Sequence, residues 1–138
     1  MSDTSAGIID TNTLILLERL DPSVLPEEPV ITAITLAELS VGPLVAIDDQ
    51  ERAARQARLQ EAEASFEPLP FDASAARVFG RVAASLRRSG RKPSARAFDA
   101  LIASTAIANG LELYTCNPKD YSGIDDLALI AIPHPDAS

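Results

Sequence analysis

The short apolar run Ala6-Gly7-Ile8-Ile9, closed by Asp10 and followed at once by a helical pattern, constrains this chain more than any other feature. A run of this length bounded by polar residues reads as a buried strand. A strand that ends on a carboxylate and turns straight into a helix belongs in an open α/β sheet, where the carboxyl ends of the strands border the ligand crevice. Three other stretches carry an acid where a globular core would not choose one: Ala37-Glu38-Leu39, Phe98-Asp99-Ala100 and Asn117-Pro118-Lys119-Asp120-Tyr121.

The rest of the chain alternates in the same way. The pattern predicts a helix over about residues 11–20, stopped by Asp21-Pro22, then a short strand at Val30-Ile31. Thr32 can cap a helix that Gly42-Pro43 closes, and a polar helix follows over about residues 47–66. Residues 67–71 are flanked by prolines, so a strand there would be an edge strand. Asp72 or Ser74 can cap a helix reaching Arg88, with Val78, Phe79, Val82 and Leu86 on one face. Ser94 is expected to open the next helix, which Asn109-Gly110 ends. Strands over about residues 111–116 and 127–132 enclose a turn begun by Asn117-Pro118, and residues 133–138 form a tail. Alternating strands and helices imply one α/β domain of 138 residues, with a mainly parallel sheet covered on both faces.

Composition narrows the classes. The hydrophobic share is 46% and the aromatic share only 4%, so the core must be built from Leu, Ile, Val and Ala. No apolar run approaches the ~20 residues of a membrane span. The first residues lack the basic and apolar segments of a signal peptide, and a single cysteine, Cys116, excludes an intrachain disulfide. The expectation is a cytoplasmic protein without a membrane partner. His134, the only histidine, falls in the tail, which leaves no Ser-His-Asp or Cys-His system, and no glycine-rich phosphate loop is present. The net charge of −8 argues against a nucleic-acid partner, but residues 87–96 hold five of the 12 basic residues and no acid. That is a cationic loop on an anionic body.

Each acid has a structural reading beside a functional one. Asp10 is a good helix N-cap. With Asn117 as cap, Asp120 falls where the helix dipole favours an acid. Glu38 falls on a stripe with Ile34, Ala37 and Val41, unless a late helix start makes it the partner of Thr35 in a capping box. Asp99 lies on the stripe of Ile102, Ala103, Ala106 and Gly110, beyond the first turn if Ser94 is the cap. Two inward carboxylates on separate helices and two more at strand ends repel each other unless a cation joins them. A donor set of oxygens alone points to Mg²⁺ or Mn²⁺.

In order and spacing, strand-Asp10-Thr11-Asn12, Leu36-Ala37-Glu38-Leu39, Phe98-Asp99-Ala100-Leu101-Ile102-Ala103 and Thr115-Cys116-Asn117-Pro118-Lys119-Asp120-Tyr121 resemble the PIN-domain nucleases. The likeness is greatest to the VapC toxins of bacterial toxin–antitoxin pairs, and it covers residues 8–132. It implies a three-layer α/β/α fold, Mg²⁺-dependent endoribonuclease activity leaving 5′-phosphate and 3′-hydroxyl ends, frequent dimerisation, and an antitoxin that blocks the active site. By position, Asp10, Glu38 and Asp99 match the family's three acidic residues, and either Asn117 or Asp120 stands at the fourth. Thr11, Asn12, Thr115 and Asn117 would support these acids, and Arg91, Lys92 and Arg96 are candidates for holding RNA. Two rivals remain. Asp10-Thr11-Asn12-Thr13 partly matches the Asp-x-Asp-x-Thr motif of haloacid-dehalogenase-type phosphatases, which would make Asp10 a covalent nucleophile. A PIN-like binding module, with the acids as caps and solvated residues, would have no activity.

Overall fold

The computed structural model describes residues 5–136. Its centre is β1, Ala6–Ile9, in a four-stranded sheet of order β2-β1-β3-β4 in which every neighbouring pair is parallel. β2 is Glu28–Val30, β3 is Glu112–Thr115 and β4 is Leu129–Ala131. The chain leaves β1 toward β2 on one side and later places β3 on the other. The carboxyl ends of β1 and β3 therefore flank the point where the strand order reverses, the crevice in which open α/β sheets bind ligands.

Period-two alternation assigns the faces. Ile8 pairs with Leu113, and both pack with Ile102, Ala103 and Ala106 of α5, Ala97–Asn109. The alanines, being small, let the helix lie close to the sheet. On the opposite face Tyr114 packs with Leu16, Leu20, Val24, Cys116 and Ile132. The result is the expected three-layer α/β/α arrangement. Cys116 is buried there as a core residue. α4, Ala73–Arg88, packs against α5 through Val78, Val82 and Leu86 on Ala100.

Capping set most helix boundaries. Thr32 accepts from the Thr35 amide and begins α2, Ala33–Val41, and Asp72 accepts from the Ala75 amide and begins α4. Gly110, at φ 65°, ends α5 in the left-handed conformation. The polar helix α3 is Asp49–Ser65, begun by Asp48. Four expectations are corrected. The first helix, α1, is only Thr11–Ile15, and the chain continues as a 3₁₀ turn, Leu17–Arg19. Residues 67–71 form no strand. Pro68 and Pro70 have no N–H, so only Leu69 pairs, through Leu69 N to Ile31 O at 2.9 Å and Ala33 N to Leu69 O at 2.8 Å. Ser94 does not open α5, because residues Pro93–Arg96 wind as a 3₁₀ turn and the helix begins at Ala97. Asn117 makes no capping hydrogen bond to the 3₁₀ turn Pro118–Tyr121.

Gly7 is required by close approach rather than by conformation. A Cβ there would lie 2.6 Å from the Tyr114 ring and 2.9 Å from Pro26 Cβ. Gly7→Val should destabilise the protein by about 2 kcal/mol through overpacking. Urea unfolding with an unchanged slope would measure it. Wild-type stability would mean that the Tyr114 ring is not held against β1.

Candidate active site

Asp10 follows the last residue of β1 and is 3% exposed. It is indeed the N-cap of α1, accepting from Thr13 N through Oδ1 at 3.1 Å. That role occupies one oxygen. Oδ2 accepts from Thr115 Oγ1 at 2.7 Å and from the Tyr121 hydroxyl at 2.9 Å. Thr115, at the end of β3, is itself oriented by the Asn117 amide, which donates to its Oγ1 at 2.9 Å. Two strand ends and the turn after β3 thus converge on one carboxylate.

Glu38 comes from α2, but not from the stripe expected of it. Ala37 and Val41 are exposed, and the buried face is Thr35 and Leu39. Glu38 sits at the edge of that face. Thr11 Oγ1 donates to its Oε1 at 2.5 Å. Thr11 has a single hydroxyl proton, so the 3.0 Å contact between Thr11 and Thr35 is a donation from Thr35. The capping-box alternative fails, because Thr32 is the cap and Thr35 lies within the helix. Burial pushes the Glu38 carboxyl up, with Asp10 adding to the rise, while the Thr11 hydrogen bond opposes it.

Asp99 is placed differently from expectation. Because α5 begins at Ala97, Asp99 is in the first turn, where the helix dipole favours the charged form. Its carboxyl is nevertheless pushed up to about 6, first by burial and then by Asp120, Asp10 and Glu38, with Arg96 opposing. Asp120, Asp10 and Glu38 thus all act electrostatically on Asp99. Arg96 lies 3.3 Å from Asp120 across an ion pair.

Tyr121 is the member that sequence reasoning missed. It is 2% exposed, packs with Ile8 and Leu113, and sets its hydroxyl 3.5 Å from Asp99 as well as 2.9 Å from Asp10. Burial and the surrounding acids raise its pKa far above the usual phenol value, so it remains a donor. The only signal was a tyrosine adjoining a candidate acid, since a buried tyrosine needs a partner for its hydroxyl. Tyr121→Phe should keep the ring in place and cost about 1–2 kcal/mol, as expected for losing a hydrogen bond to a carboxylate. Urea unfolding checks this, and an unchanged midpoint would show that the hydroxyl does not support Asp10.

Asn12, Glu38, Arg96, Phe98, Asp99 and Asp120 line an open cavity of about 410 Å³, and Asp10 does not. Among the described residues no three acids converge closely enough to ligate one ion directly. The donors still suit Mg²⁺, which prefers oxygen, keeps several of its waters and commonly takes only one or two carboxylates. A roomy, acid-lined cavity fits such an ion better than a tight protein cage would. In the basic segment, Arg88 pairs with Asp125 at 3.0 Å, while Arg91 and Lys92 are exposed and make no ion pair among the described residues.

The family model of the PIN domain matches residues 4–126. The chain is 38% identical to Ribonuclease VapC5 of Mycobacterium tuberculosis, over 96% of this chain and 98% of that protein. It is 29% identical to Ribonuclease VapC of Rickettsia bellii, over 91% and 96%. The crystal structure of the VapBC-5 toxin–antitoxin system from M. tuberculosis superposes with a TM-score of 0.80 at 35% identity, covering 93% of this chain and 99% of that one. VapBC2 of Rickettsia felis, bound to a promoter DNA fragment, gives 0.72 at 26% identity, over 90% and 96%. With the acids in the expected order, the parallel sheet and a match over nearly its whole length, the chain belongs to the PIN-domain family, among the VapC proteins, and not to the haloacid-dehalogenase-type phosphatases.

Proposed function

We propose that this protein is a Mg²⁺-dependent endoribonuclease and the toxin of a toxin–antitoxin pair. The observation that carries the reading is the cavity lined by Glu38, Asp99 and Asp120, where burial and then Asp120, Asp10 and Glu38 push the Asp99 carboxyl up. Glu38, Asp99 and Asp120, which line the cavity, would hold the metal in part through its own waters, with Asp10 acting from behind them and Mn²⁺ as a substitute. Bound there, the ion would supply positive charge to the phosphodiester and lower the pKa of the attacking water. Glu38 suits the role of proton acceptor, because burial raises its basicity and Thr11 fixes one of its oxygens. Asp120 is tied to Arg96 and suits the role less. Thr115 and Tyr121 keep the Asp10 carboxylate oriented while its charge is needed.

RNA should be cleaved to products with 5′-phosphate and 3′-hydroxyl ends. EDTA should abolish cleavage, and Mg²⁺ or Mn²⁺ should restore it. Cleavage that persists in EDTA, or a covalent phosphoenzyme, would overturn the reading. Its relatives of known structure are toxin–antitoxin complexes, and the exposed Leu44, Val45 and Ile47 supply apolar surface for a protein partner or a second copy. The antitoxin would block the cleft with an arginine, since a guanidinium pairs bidentately with carboxylates, as Arg96 already pairs with Asp120 within the chain. RNA cleavage unchanged inside a tight antitoxin complex would refute that mode. The non-catalytic module predicts neither metal binding nor cleavage.

A further inference from the structure

We propose that the outer face of α4 is a second RNA contact, a cationic ridge that holds the substrate beyond the cleft. This rests on the ribonuclease reading above and concerns a surface outside the acid-lined cavity. Seven of the 12 basic residues, and none of the 20 acidic ones, fall between residues 73 and 98. The segment 87–96 accounts for five of them. The other two, Arg77 and Arg81, belong to α4.

α4 buries Ala75, Val78, Val82, Ser85 and Leu86. Away from that face Arg77, Arg81 and Arg88 follow one another at helical spacing, and all three are exposed. Arg88 pairs with Asp125, whereas Arg77 and Arg81 make no ion pair among the described residues. Gly80, also exposed, lies between them. A Cβ there would meet nothing within 4 Å, so no contact within the described chain calls for a glycine. Glycine inside a helix is nonetheless less stable than alanine, and its bare backbone suits the close approach of a ligand.

Charge and position name the ligand. The net charge is −8, so most of the surface repels a polyanion that extends from the cavity past Arg96. The longest stretch of chain without an acid leads back from Arg96 through residues 87–92 and on to α4. Arg77 and Arg88 lie roughly 16 Å apart along the helix axis, so the ridge spans several phosphates. RNA already held in the cleft meets it at high effective concentration, which strengthens binding without any base contact. A second copy fits less well, because pairing α4 with α4 about a two-fold axis would set arginines against arginines.

The test uses the full chain in Mg²⁺. A labelled RNA of about 40 nucleotides is compared with one of about four that carries the same cut, since only the longer can reach along α4. Arg77→Gln with Arg81→Gln should raise KM for the long RNA about tenfold at low salt, with kcat unchanged. The dependence of log affinity on log salt should flatten by about 1.4, the share of two phosphate contacts. Cleavage of the short RNA should not change. Arg77→Lys with Arg81→Lys keeps the charge and should restore most of the affinity. Gly80→Gln puts a helix former in place of glycine and should raise the thermal midpoint by about 2–4 °C. It should nevertheless raise KM for the long RNA several-fold, and these opposite signs exclude misfolding as the cause. A wild-type KM and salt slope in the Arg77→Gln, Arg81→Gln protein would overturn the proposal while leaving the nuclease reading intact. Equal losses on the short and the long RNA would place the effect in the cleft and overturn it too. Unchanged RNA kinetics with a weakened antitoxin complex would make the face a protein contact instead. A wild-type protein that cleaves neither RNA would overturn the nuclease reading and this one with it.

Discussion

Asp99→Asn should leave a folded protein that is more stable than the wild type without metal, binds Mg²⁺ weakly and cleaves RNA at least about a hundredfold more slowly. The stability arm follows from linkage. The Asp99 carboxyl is raised from 3.8 to about 6 in the folded protein, so between those values the folded state holds more protons than the unfolded one. Metal-free wild type should therefore lose stability as pH rises from about 4 to about 6, and should regain it on acidification. Asparagine carries no charge at any pH, so the variant should lack that decline. A shift of about 2 units corresponds to at most about 3 kcal/mol. The group is only partly buried, so a gain of about 1–2 kcal/mol at pH 7 is expected. Mg²⁺ should reverse the ranking, because an ion that binds only the folded state raises its stability by mass action, and the variant has lost a donor. The activity arm follows because charge placed where the transition state develops it contributes several kcal/mol. Thermal unfolding with and without Mg²⁺ across pH 4–8, together with single-turnover cleavage, would measure both. Wild-type cleavage by the folded variant, or equal stabilisation of both proteins by Mg²⁺, would remove Asp99 from the site.

The sequence made most of the frame legible because most of the frame is local. A threonine before an apolar helix and an aspartate before the alanine-rich one mark the starts of α2 and α4 within a few residues of themselves. Gly110 marks its helix end in the same way. The strand-then-acid junction at Asp10 was legible for the same reason. What failed was decided partly by turn geometry and partly at long range. The 3₁₀ turn before α5 moved the helix start past Ser94, which brought Asp99 into the first turn and altered its electrostatics. Glu38 was read on the wrong stripe, because Ala37 and Val41 are exposed, whereas Thr35 is buried and meets Thr11 across 24 residues. The hydroxyl of Tyr121 meets Asp10 across 111 residues, a pairing that no local pattern encodes. Asp10 itself carried two readings, N-cap and functional acid; the cap uses Oδ1, and Oδ2 is held by Thr115 and Tyr121, contacts that no local pattern encodes.

Replacing Arg91, Lys92 and Arg96 with glutamine should weaken RNA binding more than tenfold at low salt and flatten the dependence of log affinity on log salt. Each phosphate contact to a single strand contributes about 0.7 to that slope, so three contacts give a change of about 2. Viewed from sequence alone, such a loop should leave metal affinity untouched, but the structure changes that expectation. Arg96 pairs with Asp120 and holds down the Asp99 carboxyl, so it is a fixed cation inside an acidic cleft and competes with any ion entering it. Removing it frees one carboxylate and deepens the negative potential. The single variant Arg96→Gln should therefore bind Mg²⁺ several-fold more tightly while binding RNA more weakly, with the salt slope reduced by about 0.7. Arg91→Gln with Lys92→Gln should lower RNA affinity without affecting the metal, since neither residue lines the cavity. Opposite signs for the two ligands are the signature of a cation shared between the acids and the substrate phosphate. A solvated loop with no part in binding would leave the RNA affinity and salt slope of all three variants at wild-type values. Unchanged Mg²⁺ affinity in Arg96→Gln would show that its pairing with Asp120 is too weak to compete with the metal.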